Sequence, residues 1–268
     1  MSSEKFFNTK KAFITLIAAS LVVIVSLGIR QTFGLFFFDF NTDLNISISH
    51  FGFVIGLQLL MWGVFSPIFG FITDKYGGAT AIFIGFLFYL AGLFMFYSGL
   101  NTGYLFTLTI GLLIGIGLGG TAISIPVSVV AKHFPSSNRT IATGIVTCAG
   151  SFGFFVSPLL VRYSLIEIGW EITILYFCFL LGIGLITALF ISTPKTPVGT
   201  NDNNNQTAKE ALIEALRNKS FIFLTLGFFV CGWHIALVAT HIPTYIMDRG
   251  LPDWTAAISL AFPWLERF

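Results

Sequence analysis

Charged residues are scarce in this chain. Only 10% of the 268 residues are Asp, Glu, Lys or Arg, whereas a soluble globular domain carries about 25%. So few charges cannot cover the surface of a globular protein in water. Hydrophobic residues make up 55% of the chain and the mean hydropathy is +0.88. These values exclude an ordinary soluble domain and predict an all-α protein that crosses a membrane several times.

Cysteines and clustered basic residues are also rare. Cys148, Cys178 and Cys231 all lie in apolar segments, where a cysteine behaves as a small hydrophobic residue, so we expect neither a disulfide framework nor a zinc site. The formal net charge is only +2, and no stripe of Lys and Arg is interleaved with aromatic residues. The sequence therefore gives no indication of a nucleic-acid partner.

Seven apolar runs are long enough to cross a membrane, which takes about 20 helical residues. Polar breaks such as “RYSLIEIGWE” separate them. Lys5, Lys10 and Lys11 precede the first run, as in a signal peptide, but that run is too long for one, so we expect a first helix that stays in the protein. The runs lie near residues 12–38, 50–73, 79–99, 103–130, 140–163, 171–193 and 220–247.

The distribution of Lys and Arg between the breaks predicts the orientation, because these residues favour cytoplasmic loops. If the N-terminus is cytoplasmic, only Arg162 and Arg249 fall outside. We therefore expect a multi-pass protein of the cell membrane, inner or plasma, with a cytoplasmic N-terminus. The residues that then lie inside are Lys5, Lys10, Lys11, Lys75, Lys132, Arg139, Lys195, Lys209, Arg217 and Lys219.

The runs divide the chain into three regions. Residues 1–193 are predicted to form a six-helix membrane bundle, residues 194–219 a cytoplasmic loop, and residues 220–268 the start of a second bundle. In the loop, Thr207 and Glu210 match a capping box, and the apolar residues that follow recur at helical spacing. A short amphipathic helix against the inner membrane face is therefore expected.

The stretch “GIGLGG” in the fourth run fits a dinucleotide-binding pattern. That pattern needs a preceding strand and a helix start that phosphate can reach, whereas this stretch lies inside a membrane span. Gly111, Gly115 and Gly119 recur every fourth residue, the spacing at which two membrane helices approach closely. We interpret the stretch as a helix-packing surface.

A polar stretch between the second and third runs, “GFITDKYGG”, contains Gly70, Asp74, Lys75 and Gly77. It resembles the loop motif of the major facilitator superfamily, without that motif's trailing basic residues. The stretches “GIRQTFGLFF”, “GIVTCAGSFGFFVSPLL” and “CGWHIALVATHIPTYIMDRGL” look like the bacterial monocarboxylate and oxalate/formate branch of that superfamily. The resemblance covers residues 12–261 and fails over “FPWLERF”.

The resemblance implies a transporter of two six-helix halves, with the substrate site between them and access that alternates between the two sides. We expect this chain to be truncated after the start of the eighth helix, and not to transport unless another chain supplies the missing helices. Asp74 would help to latch the halves while the site faces outward, with Gly70 and Gly77 permitting the tight geometry. The alternative for Asp74 is a charge that caps the end of its helix.

Arg30 lies inside the first apolar run, next to Gln31 and Thr32, about 12 Å from the outer end at 1.5 Å per residue. A guanidinium keeps its charge and costs on the order of 3 kcal/mol at the centre of a span. In one interpretation, Arg30 faces a water-filled central cavity beside Gln31 and binds an anion through paired N–H groups. In the other, it reaches outward to lipid headgroups or to Asp39.

His234 and His241 are seven residues apart, so a helix places them nearly on one face but about 10 Å apart along its axis, too far for one metal ion. They are candidates for substrate binding or proton coupling. The alternative is a hydrogen-bonded pair that fixes helix contacts. Pro243 removes a backbone donor in the same run, and Gln58 and Trp62, one turn apart in the second run, are further candidates for the cavity wall.

The sequence thus predicts a secondary active transporter of a small organic anion such as a monocarboxylate, driven by proton symport or by anion exchange. The alternatives are a non-transporting membrane receptor or scaffold, and a non-functional fragment of a carrier. An intramembrane enzyme is disfavoured because the runs contain no Asp or Glu except near their ends. The expected partners are the anion, protons and the lipid bilayer, and neither a metal nor a cofactor is expected.

Overall fold

The computed structural model of the protein describes residues 10–99, 103–191 and 208–261. These residues form helices, and no strand occurs among them, which confirms the all-α membrane fold. The α-helices are α1 (Lys10–Gln31), α2 (Phe37–Leu44), α3 (Ile48–Tyr76), α4 (Gly78–Tyr97), α5 (Gly103–Phe106), α6 (Ile114–Thr121), α7 (Ser124–His133), α8 (Ser136–Ala188), α9 (Ala208–Arg217), α10 (Lys219–Asp248) and α11 (Asp253–Ala261).

Six helical stretches in the described part of the chain are long and apolar enough to cross a membrane. One of them, α8, has 53 residues, more than twice the roughly 20 that a crossing needs. It bends at Gly169, where φ is 79° and ψ is 172°, a conformation that favours glycine. Helix α8 therefore supplies two crossings, and each of the seven predicted runs has a helix. The stretches are Lys10–Leu44, Ile48–Tyr76, Gly78–Tyr97, Gly103–His133, Ser136–Ala188 and Lys219–Asp248.

The polar stretch between the fifth and sixth runs is mostly helical, so it joins the two crossings without a long loop. Within it only Gly169 leaves helical geometry. Arg162, predicted to lie in an outer loop, is buried at 8% exposure. Trp170 donates from Nε1 to Oδ2 of Asp43 at 2.7 Å. These buried polar groups hold the stretch against the bundle, because such groups are stable only with hydrogen-bond partners.

The first crossing is not a continuous α-helix. A 3-10 turn, Phe33–Phe36, separates α1 from α2. Just before it, the carbonyl of Ile29 accepts from both the N–H and the hydroxyl of Thr32, at 3.2 and 2.8 Å. A side chain that binds its own backbone in this way competes with regular helical bonding. The helix therefore breaks within two residues of Arg30.

The fourth crossing contains a π-helix, Thr107–Leu113, between α5 and α6. Gln58 of α3 donates from Nε2 to the carbonyl oxygen of Ile110, inside this π-helix, at 2.9 Å. Irregular backbone at membrane depth is tolerated only where the protein supplies hydrogen-bond partners. Gln58 is one such partner, and it ties α3 to the fourth crossing.

A second irregularity in the fourth crossing lies between α6 and α7. Ala122 there has an extended ψ of −170°. The carbonyl of Thr121 therefore has no N–H donor from a following helical turn. Ser26 of α1 donates from Oγ to that carbonyl at 2.9 Å. The Ser26 hydroxyl thus replaces the backbone hydrogen bond that the interrupted helix cannot make.

Glycines let α6 lie close to two neighbours at once. A Cβ added to Gly115 would lie 2.7 Å from the carbonyl oxygen of Gln58 on α3. On the other side, a Cβ added to Gly117 would lie 2.7 Å from the carbonyl oxygen of Gly85 on α4. Larger residues would separate these backbones, so the prediction that “GIGLGG” is a helix-packing surface is confirmed.

Helix α1 pairs with the first half of α8, residues 136–168. A Cβ added to Gly153 would lie 2.8 Å from the carbonyl oxygen of Ile24. A Cβ added to Gly28 would meet the hydroxyl of Ser157, which would have to rotate away. The first and fifth crossings are therefore held together by close backbone approach, as the fourth is to its neighbours.

Two short helices, α9 and α11, lie near the end of the described chain. Helix α9 lies within the stretch predicted to be a loop with a short helix, while Thr207 of the capping box lies outside the described residues, as do residues 262–268. Helix α11 begins the expected eighth helix and packs on α8. Its residues Ala256, Ala257 and Leu260 are fully buried.

An aromatic cluster fills one end of the bundle. Phe40 is fully buried, and its ring meets Phe96, Trp170 and Phe106 edge-on, with centroids 5.2, 5.4 and 5.8 Å away. Such pairs add about 0.5–1.5 kcal/mol each to the effect of burial. The phenylalanines that follow Arg30 in the sequence thus include core residues, and they close the bundle at this end.

Replacing Phe40 by Ala is expected to lower the free energy of unfolding by about 3–5 kcal/mol, because it leaves a cavity inside this cluster. The matched control is Phe53→Ala, since Phe53 on α3 is 63% exposed and its loss leaves no cavity. Thermal unfolding of both purified variants in detergent, followed by circular dichroism, measures the difference. Equal melting temperatures for the two variants would contradict the core assignment.

Candidate functional site

Arg30 lies at the end of α1 and is only 5% exposed, so its side chain does not reach the lipid headgroups. It makes no salt bridge with the described carboxylates, and its Nε has no hydrogen-bond partner among the described residues. Tyr89 of α4 lies within electrostatic range of the guanidinium. The Tyr89 hydroxyl donates to the carbonyl of Ser26, one turn before Arg30, at 3.3 Å. The guanidinium is therefore enclosed by protein next to α4.

Gln31 is the second unpaired polar residue at this level. It is 1% exposed, and both Oε1 and Nε2 of its amide lack hydrogen-bond partners among the described residues. A buried polar group left without a partner costs about 1–3 kcal/mol, so groups of this kind normally meet water or a ligand. Gln31 follows Leu27 by one helical turn, and the apolar cluster that contains Leu27 packs against Trp62. The amide of Gln31 is thus buried without a partner in the residue next to Arg30.

A groove of about 940 Å³ lies between α3 and α10. We call it the α3–α10 groove. Its lining holds no Asp, Glu, Lys or Arg and is mostly apolar, with a few polar groups that could orient a ligand. The residues that define its two walls are Gly52, Gly56 and Trp62 on α3, and Trp233, Thr240 and His241 on α10.

The structure brings together two of the six predicted binding residues. Trp62 and His241 line the α3–α10 groove, whereas Arg30, Gln31, Gln58 and His234 are not among its lining residues. The groove and the enclosed guanidinium are therefore separate features.

Gln58 and His234 differ from expectation in their surroundings. Gln58 is fully buried and its Nε2 is taken by Ile110, while its Oε1 has no partner among the described residues. Its amide therefore supports the π-helix first. His234 and His241 are both exposed on α10, and only His241 lines the groove, although the two lie on the same helix as predicted.

Asp74 pairs with Lys132 across the ends of two crossings. Its Oδ1 lies 2.6 Å from the Lys132 Nζ, at the end of α3 and of α7 respectively. The side chains are 72% and 38% exposed, and exposed pairs of this kind contribute only about 0–1 kcal/mol. Both residues belong to the first six crossings, so this pair holds α3 to α7. Lys75 lies beside it with its ammonium 5.1 Å from the ring centre of Tyr76.

The two glycines of the loop motif that contains Asp74 differ in backbone conformation and in how closely other atoms approach them. Gly77 ends α3 with φ 96°, a conformation that only glycine adopts freely. Gly78, outside the motif, faces Val129 of α7 too closely to carry a side chain. A Cβ on Gly70 would meet no described atom within 4 Å, so the tight geometry expected of Gly70 is found at Gly77 and Gly78 instead.

The sequence analysis did not identify Tyr89 and Ser26, which lie close to Arg30. Both are polar residues within apolar runs, and this was the feature of the sequence that could have identified them. Among the described residues, no group of three His, Cys, Asp or Glu side chains stands close enough to hold a metal ion.

A sequence model of the Major Facilitator Superfamily matches residues 19–265. The chain is 24% identical over 247 residues to an agnestins efflux protein of Paecilomyces divaricatus, covering 90% of this chain and 54% of that protein. It is 25% identical over 159 residues to a “probable nitrate transporter” of Staphylococcus carnosus, covering 59% of this chain and 39% of that protein.

Solved structures show the same fold. A crystal structure of a D-xylose-proton symporter superposes with a TM-score of 0.68 at 15% sequence identity, over 94% of this chain and 66% of the symporter. A peptide transporter of the POT family in complex with alafosfalin gives a TM-score of 0.56 at 18% identity, over 90% of this chain and 49% of that structure. The chain spans about half the length of the first curated relatives that it matches.

Gly78→Ala is expected to lower the free energy of unfolding by about 1–3 kcal/mol, because the added methyl group overpacks the contact with Val129. Gly70→Ala is the matched control on α3, since its added methyl group enters open space and alanine is the better helix former. Melting temperatures of the two purified variants in detergent measure the effect. A Gly78→Ala variant as stable as the control would refute the close contact between α4 and α7.

Proposed function

The chain belongs to the Major Facilitator Superfamily, and on that basis we propose that it acts in secondary active transport of a small organic anion such as a monocarboxylate. Transport would proceed by alternating access, coupled to proton symport or to exchange of anions. The observation that carries the choice of an anion is the buried guanidinium of Arg30, which makes no salt bridge with the described carboxylates.

The cost of burying a charge supports an anionic ligand at Arg30. A guanidinium at membrane depth is stable only when water, a dipole or an opposite charge compensates it. A carboxylate accepts two parallel N–H groups from a guanidinium, which gives both binding energy and orientation. The unpaired amide of Gln31, in the next position, can donate a further hydrogen bond to the same oxygens.

The α3–α10 groove supplies the second part of the proposal. Its mostly apolar wall suits the organic part of the anion, and Trp62, Trp233 and His241 offer N–H groups that fix its orientation. Among the described residues, no charged residue lines the groove. In this proposal the positive charge that binds the anion is therefore that of Arg30 on the first crossing. His241 is our candidate for a proton-coupling group, because histidine can gain and lose a proton in protein function, and His234 lies two turns away on the same helix.

Nitrate is a second candidate substrate. It is favoured by the similarity to proteins named as probable nitrate transporters in Staphylococcus carnosus and Staphylococcus epidermidis. Nitrate and a carboxylate are both planar oxyanions that a guanidinium binds through paired N–H groups. The two differ in the organic part, which only the apolar groove would contact.

The Asp74–Lys132 pair completes the proposal at the other end of the crossings. We propose that Asp74 helps to latch the two halves of the carrier while the site faces outward. Its pairing with Lys132 and the φ of Gly77 fix the direction in which α3 ends. An exposed carboxylate held in this way is available to a partner on another helix.

Arg30→Lys is expected to weaken binding of formate and lactate about tenfold, close to the loss of one hydrogen bond to a charged group, because lysine cannot bind two carboxylate oxygens in the same geometry. Arg249→Lys is the matched control, since Arg249 is exposed at the end of α10 over the ring of Tyr245. Ligand-induced shifts in melting temperature of the purified protein measure affinity, because a ligand at 100 times its Kd adds about 2.7 kcal/mol to stability.

The same measurement with sodium nitrate and with neutral acetamide separates the candidates. Binding of lactate but not acetamide supports the anion site, and tighter binding of nitrate than of lactate favours the inorganic substrate. Equal shifts with acetamide and lactate, or an Arg30→Lys variant with unchanged affinity, would refute the role of Arg30.

We also propose that the N-terminus is cytoplasmic, on the evidence of the Lys and Arg distribution. In a background without Cys148, Cys178 and Cys231, Glu167→Cys is expected to react with a membrane-impermeant maleimide on intact cells. Ser137→Cys is expected to react only after the membrane is permeabilised. Both positions are exposed on α8, so the reverse labelling pattern would invert the topology.

A further inference from the structure

Some glycines in the membrane helices are needed for packing, and others are not. A Cβ on Gly34 would lie 2.5 Å from the carbonyl oxygen of Ala239, so the close approach of two backbones requires glycine there. In contrast, a Cβ on Gly56, Gly63 or Gly232 would meet no described atom within 4 Å. Packing between the described helices therefore does not account for these three glycines.

The three glycines without a packing contact line the α3–α10 groove. Gly56 and Gly63 belong to α3, and Gly232 belongs to α10. Gly56 and Gly63 are seven residues apart, so they lie nearly on one face of their helix. A glycine inside a helix destabilises it relative to alanine, and here no described neighbour occupies the space that the missing side chain leaves. What these glycines provide is room within the groove.

Aromatic rings border this room. Trp62 lies on the α3 wall, and Phe229 and Trp233 lie on the α10 wall, where their ring centroids are 6.4 Å apart. Aromatic side chains pack against a further ring through offset or edge-on contacts, and the glycines leave the helix surface beside them flat. Thr240 and His241, about two turns further along α10, add polar groups to the lining. The groove thus suits a planar apolar body with a polar end.

The groove is large for the smallest anions considered above. Its volume is about 940 Å³, within the roughly 300–1,000 Å³ of pockets that bury most of a drug-sized ligand. Nitrate, formate and lactate have only a few heavy atoms each and would leave most of this room to water. Water against an apolar wall contributes no hydrophobic stabilisation, so a ligand gains affinity here only with a bulkier apolar body.

We propose that the α3–α10 groove binds the planar apolar body of an aromatic carboxylic acid, and that Gly56, Gly63 and Gly232 determine which ligands fit. This inference rests on the proposed transport of an organic anion and names the class of that anion. It requires that the apolar body enters the groove, whereas the role of Arg30 is a separate claim.

The test compares 2-naphthoate with lactate. Purified protein in lipid nanodiscs is incubated with tritiated 2-naphthoate, and an excess of the unlabelled compound defines the signal that belongs to a saturable site. Displacement by lactate is expected to need at least about ten times the concentration that unlabelled 2-naphthoate needs, because a tenfold gain takes only about 55 Å² of buried apolar surface. Equal displacement by lactate would overturn the proposal.

Gly232→Leu fills the groove from α10. Its added side chain enters the open space at the lining, so 2-naphthoate affinity is expected to fall about tenfold, the gain that the apolar body supplies. Gly227→Leu is the matched control, because Gly227 lies on the same helix and is equally open but is not among the lining residues. Unchanged affinity in Gly232→Leu, or an equal loss in both variants, would overturn the proposal.

A second pair of variants covers the case in which Gly232→Leu does not fold, as judged by its elution from a sizing column. Gly56→Leu fills the groove from α3. Gly70→Leu is its control, since Gly70 lies on the same helix and is equally open but does not line the groove. The proposal predicts weaker binding of 2-naphthoate in Gly56→Leu alone, and equal affinities in the two variants would contradict it.

The neutral compound 2-naphthamide separates this inference from the anion site, because it carries the same rings without a charge. If it binds as tightly as 2-naphthoate and loses affinity in Gly232→Leu, the groove proposal is supported and the anion role of Arg30 is refuted. If lactate binding depends on Arg30 while neither naphthyl compound binds a saturable site, the anion proposal stands and the groove proposal is overturned.

Discussion

Inside a membrane, every backbone N–H and carbonyl group must find its partner within the protein, because hydrocarbon offers none. This constraint governs the irregular points of the structure. Where the fourth crossing changes to a π-helix, Gln58 reaches across from α3, and where it breaks before α7, the hydroxyl of Ser26 takes the open carbonyl. Each break is thus also the site of a hydrogen bond between two crossings, so the irregular points help to hold the helices of the bundle together.

Close packing between the helices also follows from the hydrocarbon that surrounds them. Lipid tails are as apolar as the helices, so helices associate through tight contact and hydrogen bonds instead of through expulsion of water. Gly115 and Gly117 on α6, and Gly153 on α8, allow backbones to meet at distances that no side chain permits. Gly34 on the first crossing uses that geometry against α10, the helix with the fewest buried residues among the membrane-length stretches.

The candidate anion site contains neighbouring buried residues whose polar atoms lack hydrogen-bond partners among the described residues. Arg30 and Gln31 are buried at the end of α1 with unpaired atoms, directly before the helix breaks into a 3-10 turn. In a transporter, a charge that is fully satisfied by its own protein would have little left with which to bind a substrate. A buried guanidinium that makes no salt bridge with the described carboxylates keeps its charge available to a ligand that must be bound and then released.

Much of the fold follows from local pattern. The scarcity of charge and the length of the apolar runs were sufficient to predict the seven crossings, and the spacing of glycines in “GIGLGG” predicted a packing surface, because helix formation and lipid exposure depend on neighbouring residues. The site was predicted only in part. Which face of α3 Gln58 occupies, why His241 lines the groove while His234 does not, and where Gly34 meets the Ala239 carbonyl depend on how helices distant in sequence rotate and pack. Those contacts form between segments that no local pattern relates, so only the tertiary structure decided them.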